Sequence, residues 1–377
     1  MNEDKAARYH RLRRRSAVLA AGWSVLLLAG LLLTGASHQL RDLASSAAAG
    51  LPPVLQIPGT AGLWAAMVGL LHEAGALPFA CFAGFVLERR YGLSRQSAGE
   101  WLRDHLKALG IGLVFGVAAL TVVYLVLALW PGVWWAVTWL AAVAVGVLLT
   151  WVAPVLLLPL FFKVTPLQND ILRRRLILLA ERLGAPAIDV FEWRMSDRTS
   201  RANAMLTGLG RTRRILVSDT LVADYDADEV EVILAHELAH HVRRDVWRGL
   251  FLEAAVAAVG LWAASAVLGA AVEPLGLAGP ADVAGAPVIL LTLMAVSFAT
   301  LPVANAVSRA HERRADRAAL DATGNGRAFL SAMRRLAARN LAEESPSWLV
   351  RMWFYTHPPI EERLAFARDW QQQREGQ

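Results

Sequence analysis

The sequence predicts a mainly α, multi-span transmembrane helical protein with a globular cytoplasmic part that carries a small β-hairpin or sheet. Of its 377 residues, 56% are hydrophobic and only 19% are charged, below the roughly one quarter typical of soluble domains. The apolar residues form long blocks, which favours membrane spans over one oversized core. Lys and Arg are almost confined to alternate segments between these blocks, the pattern that sets membrane orientation.

Six apolar blocks are long enough to cross a bilayer as a helix: 16–36, 61–87, 108–130, 133–162, 249–272 and 288–307. The first follows a cluster of arginines at 11–15 and could be a cleaved signal peptide, but its long apolar run favours a retained anchor. The second contains His72 and Glu73, which we expect to line a water-filled chamber, with pairing to neighbouring groups as the alternative. It also holds Cys81, the only cysteine, so an internal disulfide and a cysteine-based zinc site are excluded.

The distribution of basic residues predicts the orientation in the membrane. Segments 1–15, 88–107, 163–248 and 308–377 contain all but one of the 38 Lys and Arg residues, the exception being Arg41. We therefore expect a multi-pass protein of the plasma membrane with both termini in the cytoplasm. The net charge of +6 is explained in the same way. Nucleic acid is not an expected partner, because no basic stripe is interleaved with stacking aromatics.

The chain divides into four expected parts: an N-terminal membrane region with four spans at 1–162, a globular part at 163–248, two further spans at 249–307, and a second globular part at 308–377. Within the first globular part, alternating or apolar runs predict strands at 188–193, 202–209 and 214–218. Glycines and polar residues at 208–213 predict a hairpin turn between the last two strands. Asp226 or Asp228 is expected to cap a helix that runs through His240.

The motif His236-Glu237-Leu238-Ala239-His240 is the sharpest chemical signal in the sequence. Residues four apart lie on one face of a helix, so His236 and His240 can bind the same zinc ion. Glu237 then lies beside the metal, where a carboxylate can take up the proton of a water molecule that attacks a carbonyl group. The alternative is a surface helix with two solvated histidines, which is disfavoured because the motif lies in a predicted helix just before a span.

A catalytic zinc ion needs a third protein ligand and one open position. The extended pattern with a third histidine is not met, because Arg243 stands at its glycine position. We predict Glu312 as this ligand, with one zinc ion per chain, and Asp316 one turn later as acceptor of the second N–H of a zinc-bound histidine. A solvated charged helix is the alternative for this segment. His241 and His311 are alternative ligands, but each points about 100° away from the metal face of its helix.

This set of residues resembles the type I CAAX prenyl protease family of integral membrane zinc metalloproteases, which is related to the HtpX-like heat-shock proteases. Further motifs follow the family order over most of the chain. Residues 85–97 resemble the loop after the second span, 158–167 the entry into the catalytic domain, and 356–363 the C-terminal motif. Asn203-Ala-Met-Leu-Thr-Gly208 and Asp219-Thr-Leu also occur in order.

The resemblance implies a cytoplasmic zincin-like catalytic domain and a membrane-embedded zinc metalloendopeptidase. It also implies that Asn203, Ala204 and Met205 form an edge strand that pairs with the backbone of an extended peptide or protein substrate. His357 would stabilise the oxyanion, and Arg363 would contact the substrate, for example at its C-terminal carboxylate. From the residues alone, His357 is explained equally well as a histidine at the start of a helix.

The sequence departs from the family in one respect, because the eukaryotic members carry seven spans and six are found here. Its Ala- and Arg-rich composition is typical of a GC-rich bacterium, so a broader set of membrane or unfolded protein substrates is favoured over lipidated tails. A membrane zinc sensor or receptor without proteolytic activity is the alternative, but it leaves Glu237 unexplained. A transporter is disfavoured, because it would show interrupted spans in matching halves.

Overall fold

The structure, a computed structural model, describes residues 2–156, 158–185, 189–207 and 214–376. Long helices alternate with a small sheet and a set of shorter helices. The strands are β1 (Val164–Pro166), β2 (Asp189–Trp193), β3 (Ala204–Thr207) and β4 (Arg214–Ser218). The helices are α1 (Asn2–Leu33), α2 (Ala36–Ala48), α3 (Pro53–Cys81), α4 (Leu87–Arg90), α5 (Ala98–Leu129), α6 (Trp134–Leu156), α7 (Leu158–Phe161), α8 (Asp170–Arg182), α9 (Asp219–Asp224), α10 (Ala227–Val242), α11 (Asp245–Ala271), α12 (Ala286–Thr323), α13 (Gly326–Arg339), α14 (Trp348–Phe354) and α15 (Ile360–Glu375).

Five helices in the described part of the chain are long and apolar enough to cross a bilayer, which confirms the predicted multi-span helical architecture. They are α1, the continuous segment from α3 to α4, α5, α11 and α12. The block predicted at 133–162 corresponds to α6. Its apolar stretch, Trp134–Thr150, is shorter than the other five apolar helices. The segment between the first two spans contains α2, which has only 13 residues and is too short to cross.

The membrane helices share one buried core with α2. Trp64 of α3, Tyr124 of α5 and Trp134 of α6 are almost fully buried in it. Ser37 donates a hydrogen bond of 2.7 Å to the carbonyl oxygen of Ala284, and thereby ties α2 to the start of α12. Apolar side chains elsewhere on these helices are exposed in the isolated chain, as expected for surfaces that face lipid.

The two ionisable residues of the second span each pair with a neighbouring helix. His72 Nε2 lies 2.8 Å from Ser24 Oγ of α1. Glu73 Oε1 lies 2.6 Å from His105 Nε2 of α5, and the His105 ring stacks on Trp101 at a centroid distance of 4.9 Å. These contacts match the alternative, pairing with neighbouring groups, while the favoured role of lining a chamber stays a prediction.

The sheet has the strand order β1-β2-β4-β3, with β3 at one edge. β1 pairs antiparallel with β2, β2 pairs parallel with β4, and β3 pairs antiparallel with β4. All three predicted strands are present within the described residues, and the last two pair as a hairpin requires. The predicted turn at 208–213 and the first residue of the strand predicted at 188–193 lie outside the described residues.

A second buried core lies beneath the sheet, and segments far apart in the chain build it. Leu176 of α8, Val190 of β2 and Ile215 of β4 are fully buried together with Phe329 of α13. Each such side chain contributes about 1.5–3 kcal/mol by leaving water. Ala319 of α12 joins the same core. The chain before α11 and the chain after α12 therefore fold as one packed unit around the end of α12.

Helix α12 connects the two cores. Its 38 residues extend over about 57 Å, more than the thickness of a bilayer core. The helix leaves the membrane part without a break and ends at Gly324, whose φ of 64° is readily adopted by glycine. The polar residues of its last turns are thus brought rigidly to the side of α10.

Candidate metal centre and active site

Helix α10 presents the two histidines of the motif on one buried face. The helix begins after Asp226, whose backbone N–H donates to the Glu229 carboxylate at 3.0 Å, as the sequence predicted for this N-terminus. His236 is 6% exposed, and its ring contacts that of His240 edge-on at 4.9 Å between centroids. The two Nε2 atoms are 3.2 Å apart. One helical turn therefore brings both nitrogens to the same point.

Glu312 of α12 meets these two rings from the opposite side. Its Oε2 lies 3.3 Å from His236 Nε2, and its Oε1 lies 3.3 Å from His240 Nε2. Among the described residues, these three form the one group of at least three His, Cys, Asp or Glu side chains close enough to share a metal ion. Ligand atoms from all three lie within 4.8 Å of one another. The structure thus brings Glu312 to two histidines that precede it in the sequence by 72 residues or more.

The residues fit a zinc ion. At the distances of about 2.0–2.1 Å preferred by zinc and its nitrogen ligands, two ligand atoms of a tetrahedral site are about 3.3–3.4 Å apart. The separations of 3.2 and 3.3 Å between the donor atoms are close to this spacing. Oε2 of Glu312 is also buried, and its approach to His236 Nε2 lacks hydrogen-bond geometry, so it has no hydrogen-bond partner among the described residues. A buried carboxylate oxygen without a donor is costly, and a cation between the three side chains would satisfy it.

Asp316 lies behind His236, one turn after Glu312 on the same helix. Its Oδ1 is 2.9 Å from His236 Nδ1, which leaves Nε2 directed at Glu312. Arg363 of α15 donates two hydrogen bonds to the Asp316 carboxylate, at 2.8 Å from Nε and 2.5 Å from Nη2. Asp316 is only 1% exposed, so the arginine compensates a buried negative charge.

Asp245 contacts the Nδ1 atom of His240 as Asp316 contacts that of His236. The sequence did not predict this role for Asp245. Its Oδ2 lies 3.1 Å from His240 Nδ1, and its side chain is 5% exposed. Asp245 opens α11 directly after a tight turn in which Arg244 adopts a left-handed conformation with φ of 58°. That turn reverses the chain within two residues and returns Asp245 to the motif. The sequence signal for it is weak, because a non-glycine residue at positive φ is uncommon.

The carboxylates around the histidines alter their protonation. Burial favours the neutral ring, but Asp316 and Glu312 outweigh it and raise the pKa of His236 to about 10. The pKa of His240 is also raised, because the neighbouring Glu312 outweighs the effect of burial. Burial raises the pKa of Glu237, while the two adjacent histidines lower it by a smaller amount.

His357 lies at the open side of this centre. Its Nε2 is 3.4 Å from Glu312 Oε1, and its Nδ1 is 2.9 Å from Thr356 Oγ1. The imidazole is 60% exposed, in contrast to the buried His236. His357 lies in the connection between α14 and α15, where Pro358 and Pro359 prevent a continuous helix. His357 therefore lies near the three candidate metal ligands and is accessible to a substrate.

The other predicted site residues lie on or beside β3 and on α15. Ala204 and Met205 belong to the edge strand β3, which packs against α10, and Asn203 immediately precedes that strand. The described contacts of Arg363 are with Asp316 and His236, and its side chain is 13% exposed. His311, an alternative ligand, has its Nε2 3.8 Å from Asp245 Oδ1 and is not part of the group of His236, His240 and Glu312.

Comparison with known protein families decides the class of this site. Residues 166–371, which include all the residues of the metal centre, match the family described as peptidase family M48. The chain belongs to peptidase family M48. Residues 2–163 match a second family description, the N-terminal region of CAAX prenyl proteases with five membrane helices. Both parts of the chain therefore point to one kind of membrane metalloprotease.

Individual relatives agree with this assignment. The chain is 31% identical to the uncharacterized metalloprotease YhfN of Bacillus subtilis over 75% of its length and 68% of that protein. It is 27% identical to CAAX prenyl protease 1 of Saccharomyces cerevisiae, over 79% of this chain and 70% of the relative. The crystal structure of S. mikatae Ste24p shares the fold, with a TM-score of 0.81, 23% identity, and coverage of 97% of this chain and 88% of the other.

These findings confirm the enzyme class predicted from the motif. The chain is a multi-pass membrane metalloprotease, and the resemblance to the CAAX prenyl protease family is confirmed. The comparisons favour the protease over the sensor or receptor that the sequence left as an alternative. The family implies a metal, and the cluster of His236, His240 and Glu312 offers the donor set for it.

Proposed function

We propose that this protein is a zinc metalloendopeptidase in which His236, His240 and Glu312 hold a single zinc ion and Glu237 acts as general base. The observation that carries the proposal is the spacing of the three donor groups, together with the partnerless buried oxygen of Glu312. Three protein ligands leave one position open, which is the arrangement of a catalytic site and not of a closed structural site.

The metal would supply Lewis acidity at the open position. Glu237 follows His236 on α10 and is half-buried, with no charged partner at salt-bridge distance among the described residues. Its carboxylate would take the proton of the attacking water and later deliver a proton to the leaving amine. Asp316 and Asp245 fix the Nδ1 sides of both histidines, so their Nε2 atoms keep one orientation throughout.

The substrate would be held by pairing with the free edge of β3. The N–H of Ser218 donates to the carbonyl oxygen of Asn203 at 2.9 Å, so the backbone groups of Asn203 face β4. The pleat of a strand alternates, so the backbone groups of Ala204 and Leu206 face outward. They can pair with an extended peptide whose scissile bond then lies along the α10 side of the sheet.

His357 would stabilise the negative charge that develops on the carbonyl oxygen during attack. It is exposed, and its Nε2 lies 3.4 Å from Glu312 Oε1. Removal of one such donor typically lowers kcat by about 10²–10³-fold. Arg363, which the family resemblance implied as a substrate contact, would instead act through its buried pair with Asp316.

The centre would face the cytoplasm of the cell, in the plasma membrane. The basic residues at the cytoplasmic ends of the spans support this orientation, with both termini on the same side. A site at the end of two membrane helices favours substrates that are themselves bound to the bilayer. These would be unfolded membrane proteins, with lipidated C-terminal tails as a second class suggested by the names of the eukaryotic relatives.

Purified protein in detergent tests this proposal, with the Glu237→Gln variant as the comparison. Wild type and variant should each contain about one zinc ion per chain, because Glu237 is not a ligand. Only the wild type should cleave a fluorescence-quenched unfolded peptide or a farnesylated peptide. Stoichiometric zinc in both proteins without cleavage of either peptide by the wild type would reject the proposed activity. Equal cleavage by both proteins would reject Glu237 as the base.

A further inference from the structure

The loop that carries His357 is anchored two residues earlier, at Tyr355. The carbonyl oxygen of Tyr355 accepts a hydrogen bond of 2.7 Å from Arg309 Nη1, and the same nitrogen donates to the carbonyl oxygen of Arg351 at 3.1 Å. Arg309 is 8% exposed and precedes Glu312 by three residues on α12. The helix that brings Glu312 to the metal centre thus also fixes the backbone that leads to His357.

The phenol of Tyr355 is held from the other direction. It donates to the Glu343 carboxylate and accepts a hydrogen bond of 3.1 Å from Arg14 Nη1. Arg14 also pairs with Glu343, with Nη1 2.5 Å from Oε2 and Nη2 3.4 Å from Oε1. The side chains of Arg14 and Glu343 are only 19% and 13% exposed. Burial and the hydrogen bond to Glu343 raise the pKa of Tyr355, so the phenol stays protonated at all physiological pH values.

Arg14 belongs to α1, the first membrane helix, and is more than 300 residues from the loop that it contacts. A second contact ties the same part of α1 to this region, because His10 Nε2 lies 2.8 Å from the carbonyl oxygen of Leu341. Leu341 has a left-handed backbone with φ of 50°, a conformation that is unfavourable for a leucine. Groups of the first helix therefore contact both Leu341, at the start of this segment, and Tyr355, at its end.

We propose that Arg14 is a positioning residue for the active site, acting through Glu343 and Tyr355 to hold His357 beside Glu312. Only Thr356 separates Tyr355 from His357, and the two prolines that follow restrict the chain on the other side. Displacement of a catalytic group by about 1 Å can lower a rate by up to about 100-fold. This inference rests on the proposed role of His357.

Steady-state kinetics of the full-length protein in detergent test the inference, with zinc content measured in parallel. Arg14→Ala should lower kcat by about tenfold, while KM stays within about twofold and zinc remains at one per chain. Arg15→Ala is the matched control, because it removes the same charge from an exposed position on the same turn. That control should behave as wild type. Tyr355→Phe removes only the hydroxyl link and should show the same loss of kcat as Arg14→Ala.

The His357→Ala background separates positioning from general destabilisation. If Arg14 acts through His357, addition of Arg14→Ala to His357→Ala should cause no further loss. A full tenfold loss in that background, or unchanged kcat of Arg14→Ala and Tyr355→Phe, would overturn the inference alone. Full activity of His357→Ala would overturn the proposed role of His357, and this inference with it. If Arg14→Ala does not accumulate, Tyr355→Phe decides the result by the same comparison.

Discussion

The metal-binding side of the centre, formed by His236, His240 and Glu312, is held differently from its substrate-facing side, formed by His357. His236 and His240 lie on one rigid helix, and each has its Nδ1 fixed by a carboxylate that is almost fully buried. His357 is 60% exposed and lies on a connection between two helices, held through backbone and side-chain contacts of its neighbour Tyr355. The first arrangement resists displacement, and the second can adjust to a substrate.

This difference predicts which measurable property each group controls. Changes to the carboxylates behind the histidines should alter metal affinity, because they orient the ligands. Changes on the substrate-facing side should alter kcat or KM with the metal retained, because no ligand moves. The following variants test that division, from the largest expected effect to the smallest.

Asp245→Asn should weaken zinc binding by about 10–100-fold, because the amide is a poorer acceptor for the Nδ1 proton of His240. Competition with a chelator of known affinity, followed by metal analysis, measures this effect. Asp369→Asn is the control, since Asp369 is an exposed aspartate on α15. Activity measured at saturating zinc should recover most of the wild-type rate. Unchanged zinc affinity would show that Asp245 has no part in orienting the ligand.

Leu206→Pro should raise KM by about tenfold with little change in zinc content, because proline lacks the outward N–H that would pair with the substrate backbone. Leu206→Ala keeps that N–H and loses a similar part of the side chain, so it serves as the matched control. Prolines are tolerated on edge strands, and β3 is an edge strand. Equal KM values for both variants would contradict substrate pairing at this position.

Asp219→Asn should affect stability and not catalysis. Burial raises the pKa of Asp219, but hydrogen bonds from Ser196, Met195 and Thr220 outweigh it and leave the pKa below its ordinary value. A lowered pKa stabilises the folded state above the ordinary aspartate pKa, and this contribution is lost as the pH falls through the folded value. The variant should therefore be less stable at pH 7, by about 1 kcal/mol, because solvent screens this partly exposed carboxylate.

Thermal unfolding in detergent at several pH values measures this contribution. The difference between wild type and Asp219→Asn should be largest near neutral pH and should shrink as the pH falls below 4. A difference that grows in acid would have the wrong sign for a carboxylate with a lowered pKa.

Local patterns were sufficient to predict much of the fold and the core of the site. Helical spacing places His236 and His240 together, and the distribution of basic residues puts Glu312 on the same side of the membrane. Strands β2, β3 and β4 were visible as short alternating or apolar runs. These features depend on neighbours within about one turn or one strand, where sequence patterns carry direct information.

The contacts that lay beyond prediction depend on how distant segments meet. Asp245 reaches His240 only because Arg244 turns the chain sharply at positive φ. The pair of Arg363 with Asp316 and the contact of Arg14 with Glu343 join elements that have no common pattern in sequence. Helix α2 has only 13 residues and no span-length apolar pattern, yet its Ala44 packs into the membrane core. Tertiary packing, not local propensity, determines these features.

The Glu312→Ala variant tests the central claim most directly. Purified in parallel with wild type, it should retain less than about a tenth of the zinc although both histidines remain, because two ligands bind far more weakly than three. X-ray absorption of the wild type should show two imidazole nitrogens and at least one carboxylate oxygen around one zinc ion. Stoichiometric zinc in Glu312→Ala, or a coordination shell without a carboxylate, would contradict the proposed metal centre.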